Sequence, residues 1–314
     1  MSDKILVTGA SGFVGACLTE DLVNEGFDVA VVTRDIQKAW RLNKVKNKIK
    51  VYNSDLCDEN SVKKMINDYR PNKVFHLATY GGYYFENEDK KILFNNIFGT
   101  FNLVNAISKI SFDSFINISS SSEYGIKYAD MNENDLLEPI NTYGVSKAAS
   151  TLYSRMISVN NKLPIATVRL FSPFGYYEDK TRLVSSVILS CLQDKNPNLA
   201  SGEAVRDFIF IEDAIDMIKQ VSLSNKLVGK IYNCGTGKQH SVKELVETII
   251  QVSGKQLIPE WGKVEGRKSD TSRWQSDITL VKDEIGWMPR TSLTEGIIKS
   301  YNWYNENLNL YLEE

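Results

Sequence analysis

Short aliphatic and β-branched runs alternate along the first half of the chain with longer stretches whose apolar positions recur every three or four residues. Ile5 to Val7 is followed by Phe13 to Asn24, and Asp28 to Val32 by a polar loop. Lys50 to Asn53 precedes Asn60 to Tyr69, and Lys73 to Leu77 precedes Lys90 to Ser108. Phe115 to Ile118, Tyr143 to Asn160 and Ile165 to Leu170 continue the series. Continuous apolar runs mark strands buried on both faces, and the helical period between them supplies the covering layers. The pattern therefore predicts an α/β fold, a doubly wound parallel sheet with helices on both sides. After about Ser172 the rhythm weakens into loops and helices, with strand-like sequence returning at Asp207 to Ile211 and Lys230 to Cys234. Residues 1–171 are expected to form one unit and 172–314 a smaller, mixed α/β, discontinuous one, with the late strands near 207–235 rejoining the first sheet. The asparagine-rich stretch Asn302 to Asn309 reads as the polar face of a terminal helix.

Position gives the first loop its meaning. Thr8-Gly9-Ala10-Ser11-Gly12-Phe13-Val14-Gly15 leaves the first strand and opens the first helix. In such a turn the first glycine allows the sharp bend, the second lets backbone approach a pyrophosphate, and the third permits close helix packing, while helix N-terminal amides face the anion. A dinucleotide is the expected cofactor, held by Gly9, Ser11, Gly12, Phe13, Val14 and Gly15, and residues 1–171 become a dinucleotide-binding domain. Further contacts are expected at strand carboxyl ends, where ligands bind in these sheets: Thr33 and Arg34, Asp55 and Leu56, and Leu77, Ala78 and Thr79. Arg34 suits the 2'-phosphate of NADP, because a guanidinium matches phosphate in a bidentate fork. Asp35 could instead accept from the ribose of NAD, so both dinucleotides stay open, with NADP favoured. His76, flanked by apolar residues, reads as a packed histidine.

Tyr143-Gly144-Val145-Ser146-Lys147 carries the candidate chemistry. Residues four apart share a helix face, so Tyr143 and Lys147 reach one side of a cofactor together. A phenol titrates near pH ~10, and a neighbouring ammonium with an oxidised nicotinamide brings it toward the working range. The hydroxyl-rich loop Ser119-Ser120-Ser121-Ser122-Glu123-Tyr124-Gly125 precedes this helix. Ser120 is placed to hold the reacting oxygen beside the tyrosine, the alternative being a run of turn-forming serines.

Composition narrows the partners. With 37 basic and 39 acidic residues interspersed, the net charge is -2. That leaves no basic field for a nucleic-acid backbone and no polybasic run for a membrane surface. The four cysteines are far apart and form no Cys-x-x-Cys pair, so neither a structural metal nor a disulfide framework is expected, and a reducing, cytoplasmic setting fits. The amino terminus has no leader pattern, and no run has membrane-spanning length.

These motifs, together with Asn96-Ile97-Phe98-Gly99-Thr100, Arg169-Leu170-Phe171-Ser172-Pro173, Arg206-Asp207-Phe208 and Trp274-Gln275-Ser276-Asp277, resemble the extended short-chain dehydrogenase/reductase family over nearly the whole chain. That group contains sugar-nucleotide epimerases, dehydratases and 4-keto-sugar reductases. The resemblance implies that Ser120, Tyr143 and Lys147 form the catalytic set and that Asn96, Phe171 and Ser172 join the cofactor contacts. It implies a nucleotide-diphosphate sugar substrate, with Arg206, Arg267 and Asp270 at the nucleotide diphosphate. Tyr80 to Phe85 and Pro173 to Arg182 follow strand ends and are expected to border the sugar, Tyr80 and Arg182 among them, the alternative for the aromatic residues being packing; Ser121, Ser122 and Ser172 are also expected around the sugar. Family dehydratases carry a glutamate two positions before the loop tyrosine, often after an aspartate, whereas this chain has Ser121 and Ser122 there. Glu123 is displaced by one and, on an extended strand end, would point to the other face.

Dehydration is thereby disfavoured, leaving hydride transfer at C4 as 4-keto reduction or as 4-epimerisation. The Ser-Glu-Tyr-Gly ending and Arg34 favour the reductase, as does Ser172 where many epimerases have asparagine. A dinucleotide-binding regulatory protein without turnover is a third reading. By analogy, the helices Lys90 to Ser108 and Tyr143 to Asn160 are expected to pair in a homodimer.

Overall fold

In the computed structural model the strands run, in chain order, as β1 (Lys4–Thr8), β2 (Asp28–Thr33), β3 (Lys50–Asn53), β4 (Lys73–His76), β5 (Ser114–Ser120), β6 (Ile165–Leu170), β7 (Ser172–Phe174), β8 (Val205–Arg206), β9 (Phe208–Phe210), β10 (Lys230–Cys234) and β11 (His240–Ser241). Between and after them lie α1 (Phe13–Asn24), α2 (Glu59–Tyr69), α3 (Asp89–Leu93), α4 (Gly99–Ile107), α5 (Thr142–Asn161), α6 (Leu183–Leu192), α7 (Ile211–Ser222), α8 (Val242–Ser253), α9 (Thr279–Ile285), α10 (Leu293–Glu306) and α11 (Asn309–Leu312). The structure describes residues 3–83, 85–266 and 271–312.

Seven strands form one parallel sheet in the order β10-β6-β5-β4-β1-β2-β3. Alternation along each strand divides its side chains between two apolar layers. Ile5 and Val7 of β1 join α1 and α7 residues such as Leu18 and Ile218 on one face. Leu6 joins Val62 of α2 and Leu103 of α4 on the other. Because β1 lies between β2 and β4, winding reverses there and a crevice opens over the carboxyl ends of β1 and β4. This is the doubly wound α/β fold that the apolar pattern implies.

Three local features depart from the sequence reading. Of the two late runs, only Lys230–Cys234 enters the main sheet, paired with β6 from Lys230↔Ala166 to Cys234↔Leu170. That pairing occupies the edge of β6, and Phe208–Phe210 pairs instead with β7 in a separate two-stranded ladder. The polar loop after β2 folds into three 3-10 turns, Ile36–Lys38, Trp40–Leu42 and Lys46–Lys48. The helix expected over 90–108 is interrupted by a π turn at Phe94–Phe98. One extra residue per turn shifts the helical phase, so Asn96 is buried against α5 and the loop after β4 while Phe94 and Phe98 are exposed. Among the described residues no helix is long and apolar enough to cross a membrane.

Candidate active site

The glycine turn gives the crevice its floor. Gly9 has φ +72, and a Cβ there would lie 2.5 Å from the amide nitrogen of Ala78; a Cβ on Gly15 would lie 2.2 Å from the Gly9 carbonyl oxygen. Gly12 N-caps α1 without a side-chain cap, leaving the leading amides of that helix open to an anion. Above this turn a cleft of about 1270 Å³ is lined by every site residue named from the sequence except Arg267 and Asp270, which lie outside the described residues. That volume exceeds the ~300–1,000 Å³ of sites for a single small ligand, as a dinucleotide plus a second nucleotide requires. The close-approach glycines and the open helix end make the crevice a fit for a dinucleotide pyrophosphate.

At the end of β2, Thr33 is buried and Arg34 exposed in the cleft. The Asp35 carboxylate caps the following 3-10 turn, accepting from the Gln37 amide at 2.9 Å, and Lys38 lies 3.7 Å from it. Asp35 is thus engaged locally. Asp55 accepts from the Cys57 amide at 2.9 Å. His76 is buried, its ring nitrogens 2.7 Å from Thr8 Oγ1 and 2.9 Å from Thr100 Oγ1. Burial pushes its pKa down to about 3, which keeps the ring neutral. Asn96 lines the cleft, yet its amide is committed: Oδ1 accepts from Tyr80 N at 2.8 Å, and Nδ2 donates to Tyr80 O at 2.8 Å and Ser146 Oγ at 2.9 Å. It clamps the backbone after β4, and the Tyr80 hydroxyl is directed to the rim, 3.3 Å from Glu88.

Helix α5 presents the candidate acid/base pair. Asn141 caps it, accepting from Gly144 N at 2.7 Å. One turn apart, Tyr143 and Lys147 face the end of β5, and Lys147 Nζ donates to the Ile118 carbonyl at 2.7 Å. Burial raises the Tyr143 pKa, while hydrogen bonds with Ser120 and Thr79 pull against it. Burial also lowers the Lys147 ammonium to about 8, opposed by the Glu123 charge. The phenol therefore meets the Ser120 and Thr79 hydroxyls, whose bonds, with the Arg182 charge, favour the phenolate that a base needs, while the Lys147 ammonium is held on the Ile118 carbonyl one helical turn along.

The loop after β5 differs from expectation in form. Ser121–Glu123 is a 3-10 turn rather than an extended strand end, because Ser120 Oγ accepts from Ser122 N at 3.1 Å and bends the chain. The turn carries Glu123 away from the cleft into full burial, where it accepts from Ser119 Oγ, from Thr151 Oγ1 at 2.6 Å and from Arg169 Nε at 2.8 Å. Ser121 Oγ accepts from the Trp274 indole at 3.1 Å. Trp274 also lies beneath Arg206, whose guanidinium carbon is 5.3 Å from the ring.

Sequence reasoning named Arg182 and the segment Pro173 to Arg182 that leads to it, but not the contact that holds its side chain. Its Nε is 3.2 Å from Glu178, a buried carboxyl pushed up to about 7 by desolvation. Trp274, Tyr83, Asp179 and Arg41 also line the cleft. Trp274 was visible only within a motif, and Arg41 had no local signal, since its partners are 30 and 136 residues away in the chain.

Comparison with known proteins agrees with this geometry. The model of the NAD dependent epimerase/dehydratase family matches residues 5–235. UDP-glucose 4-epimerase of Bacillus subtilis (strain 168) is 27% identical over 339 residues, spanning 98% of this chain and 98% of the relative. dTDP-glucose 4,6-dehydratase of Streptomyces griseus is 25% identical over 326 residues, spanning 98% and 95%. The crystal structure of UDP-glucuronic acid 4-epimerase from Bacillus cereus in complex with UDP-glucuronic acid and NAD superimposes with a TM-score of 0.87 at 26% identity, covering 97% of this chain and 99% of that one.

Proposed function

The chain belongs to the NAD dependent epimerase/dehydratase family, a group of enzymes acting on sugar nucleotides, and from that premise we propose that it reduces a nucleotide-linked 4-ketohexose at C4. Residues 1–171 with β10 hold the dinucleotide, and the remainder of 172–314 holds the nucleotide sugar. A bound nicotinamide supplies or accepts the hydride at the sugar carbon. The chain's own residues move the proton. Tyr143 stands to give its phenolic proton to the C4 oxygen as the carbonyl is reduced, Ser120 to fix that oxygen by a hydrogen bond, and Lys147 to favour the phenolate that remains. Arg182 and Arg206 offer guanidinium forks for the diphosphate.

The observation that carries the reading against dehydration is Glu123. Loss of water needs a proton-carrying carboxyl at the sugar, and here the loop carboxylate is buried against Arg169 with Ser121 and Ser122 facing the cleft. Hydride transfer without elimination remains. Arg34 stands exposed at the end of β2 while Asp35 is occupied as a cap, which supports NADP over NAD and a cofactor that is exchanged at each turnover. The second reading is 4-epimerisation, favoured by the 27% identity to the Bacillus subtilis UDP-glucose 4-epimerase over the whole chain. Incubation with candidate nucleotide sugars separates the two. Net oxidation of added NADPH by a 4-keto sugar nucleotide is expected for the reductase. Exchange of C4 isomers without added cofactor would make the epimerase reading the correct one.

A homodimer is part of the proposal. Phe94, Phe98 and Phe101 continue through Tyr153 into the exposed Leu152 and Met156 of α5, with ring centroids 5.1, 6.5 and 5.0 Å apart along the series. An apolar face of this kind on two adjacent helices suits an isologous contact.

A further inference from the structure

Arg41 belongs to no motif, yet it spans the two halves of the cleft. It sits in the 3-10 turn Trp40–Leu42, and its side chain is only 12% exposed. Its Nε donates to the Tyr177 carbonyl at 2.7 Å, and one terminal nitrogen reaches the Ser11 carbonyl at 3.5 Å. The other terminal nitrogen is 4.0 Å from the Asp179 carboxylate, and the guanidinium carbon lies 4.4 Å from the Trp40 ring. Ser11 belongs to the glycine turn. Tyr177 and Asp179 belong to the segment that delivers Arg182 to the start of α6, where the Arg182 amide donates to the Asp179 carbonyl at 2.9 Å. That segment is strained, because Tyr177 is a buried, non-glycine residue at φ +62. Such a conformation costs of order 1–3 kcal/mol and persists only where the surroundings hold it. The Tyr177 hydroxyl is tied to Glu20 of α1 at 2.9 Å, and its carbonyl is tied by Arg41.

We infer that Arg41 is a positioning residue that couples dinucleotide binding at the glycine turn to the placement of Arg182 for the sugar nucleotide's diphosphate. The inference rests on the proposal that the cleft takes both ligands. A planar guanidinium has donors in fixed directions, so it can hold two carbonyls in register where an ammonium, a point donor, cannot. A pyrophosphate on the open amides that lead α1 from Phe13 orders the turn behind them, where the Gly12 amide donates to the Gly9 carbonyl at 3.0 Å, and through Arg41 the order extends to Tyr177–Arg182. A diphosphate arriving at Arg182 then has less ordering left to impose, which is positive cooperativity, and linkage makes the effect reciprocal.

Titration calorimetry on the full chain tests this. The tighter-binding of NAD and NADP is titrated alone and with saturating diphosphate, and UDP and dTDP are titrated alone and with saturating dinucleotide. In the wild type each ligand is expected to tighten the other by the same factor, about fivefold or more. In Arg41→Lys, which keeps the charge and the stem against Trp40, and in Arg41→Gln, that factor is expected to fall below about two while each ligand alone still binds. Should Arg41→Gln fail to fold, Arg41→Lys alone carries the comparison. Equal coupling in wild type and variant, or independent binding in the wild type, would overturn the inference and leave the functional reading standing. A wild-type protein that binds no dinucleotide, or neither diphosphate, would overturn the functional reading and the inference with it.

Discussion

Tyr143 and Lys147 illustrate how burial tunes two groups in opposite directions at one site. Desolvation raises the phenol and lowers the ammonium to about 8 from its ordinary 10.5. Tyr143→Phe keeps the ring and removes the proton, so turnover is expected to fall by about 10²–10⁴, with dinucleotide affinity within a few-fold of wild type by fluorescence titration. Lys147 carries a stability consequence. Between about pH 8 and 10.5 the unfolded chain holds a proton that the folded chain has lost, so this group's contribution to stability rises with pH across that window. Below about 8 a charged ammonium is kept buried at a cost on the order of 3 kcal/mol, partly offset in Lys147→Met by the lost bond to the Ile118 carbonyl. Lys147→Met is therefore expected to be inactive yet more stable at pH 7 by about 1–3 kcal/mol in urea melts. A destabilised variant would show that the ammonium is held by more than burial. Tyr143 and Lys147 were legible because helical spacing places both on one face. Arg41 was not, because both carbonyls it holds are set by tertiary packing.

At the scale of elements, the glycine turn and α1 act as one device. A methyl at position 15 would meet the Gly9 carbonyl at 2.2 Å, so Gly15→Ala must push α1 off β1 or distort the turn. Dinucleotide binding is expected to weaken by at least tenfold, and an unchanged affinity by calorimetry would show that the turn is not the pyrophosphate seat. The exposed face shared by the π turn, α4 and α5 makes a separate claim. On the proposed homodimer, light scattering is expected to give a dimer for the wild type and a monomer for Phe98→Glu with Leu152→Glu, and a monomeric wild type would contradict the proposal. Strands and long helices were legible because a buried parallel strand and an amphipathic helix write different periods. The π turn at Phe94–Phe98 and the 3-10 turn at Ser121–Glu123 were not, since each is a local hydrogen-bond choice over three to five residues, too short to write a period of its own.

For the whole molecule, the order of motifs carried most of the recognisable information: the glycine turn, His76-Leu77-Ala78, the serine loop and Phe171-Ser172-Pro173 lie at the carboxyl ends of β1, β4, β5 and β6, and Asn96, Tyr143, Lys147, Arg206 and Trp274 reach the same cleft from other elements. The region after Ser172 was harder to read. Its strands β7, β8, β9 and β11 are two or three residues long and pair with distant partners, so no local period announces them. The cofactor choice also belongs to this scale. If Arg34 meets a 2'-phosphate, Arg34→Asp is expected to raise the KM for NADPH at least tenfold and to improve use of NADH, and equal loss with both would place Arg34 elsewhere. The most direct measurement of the central claim follows the hydride itself. The full chain is incubated with a nucleoside-diphosphate 4-ketohexose and NADPH deuterated at the transferable position, and the sugar is read by mass spectrometry and NMR. One deuterium at C4, matched by loss of the reduced-nicotinamide absorbance and absent with Tyr143→Phe, is the expected result; an undeuterated sugar and an untouched cofactor would contradict it.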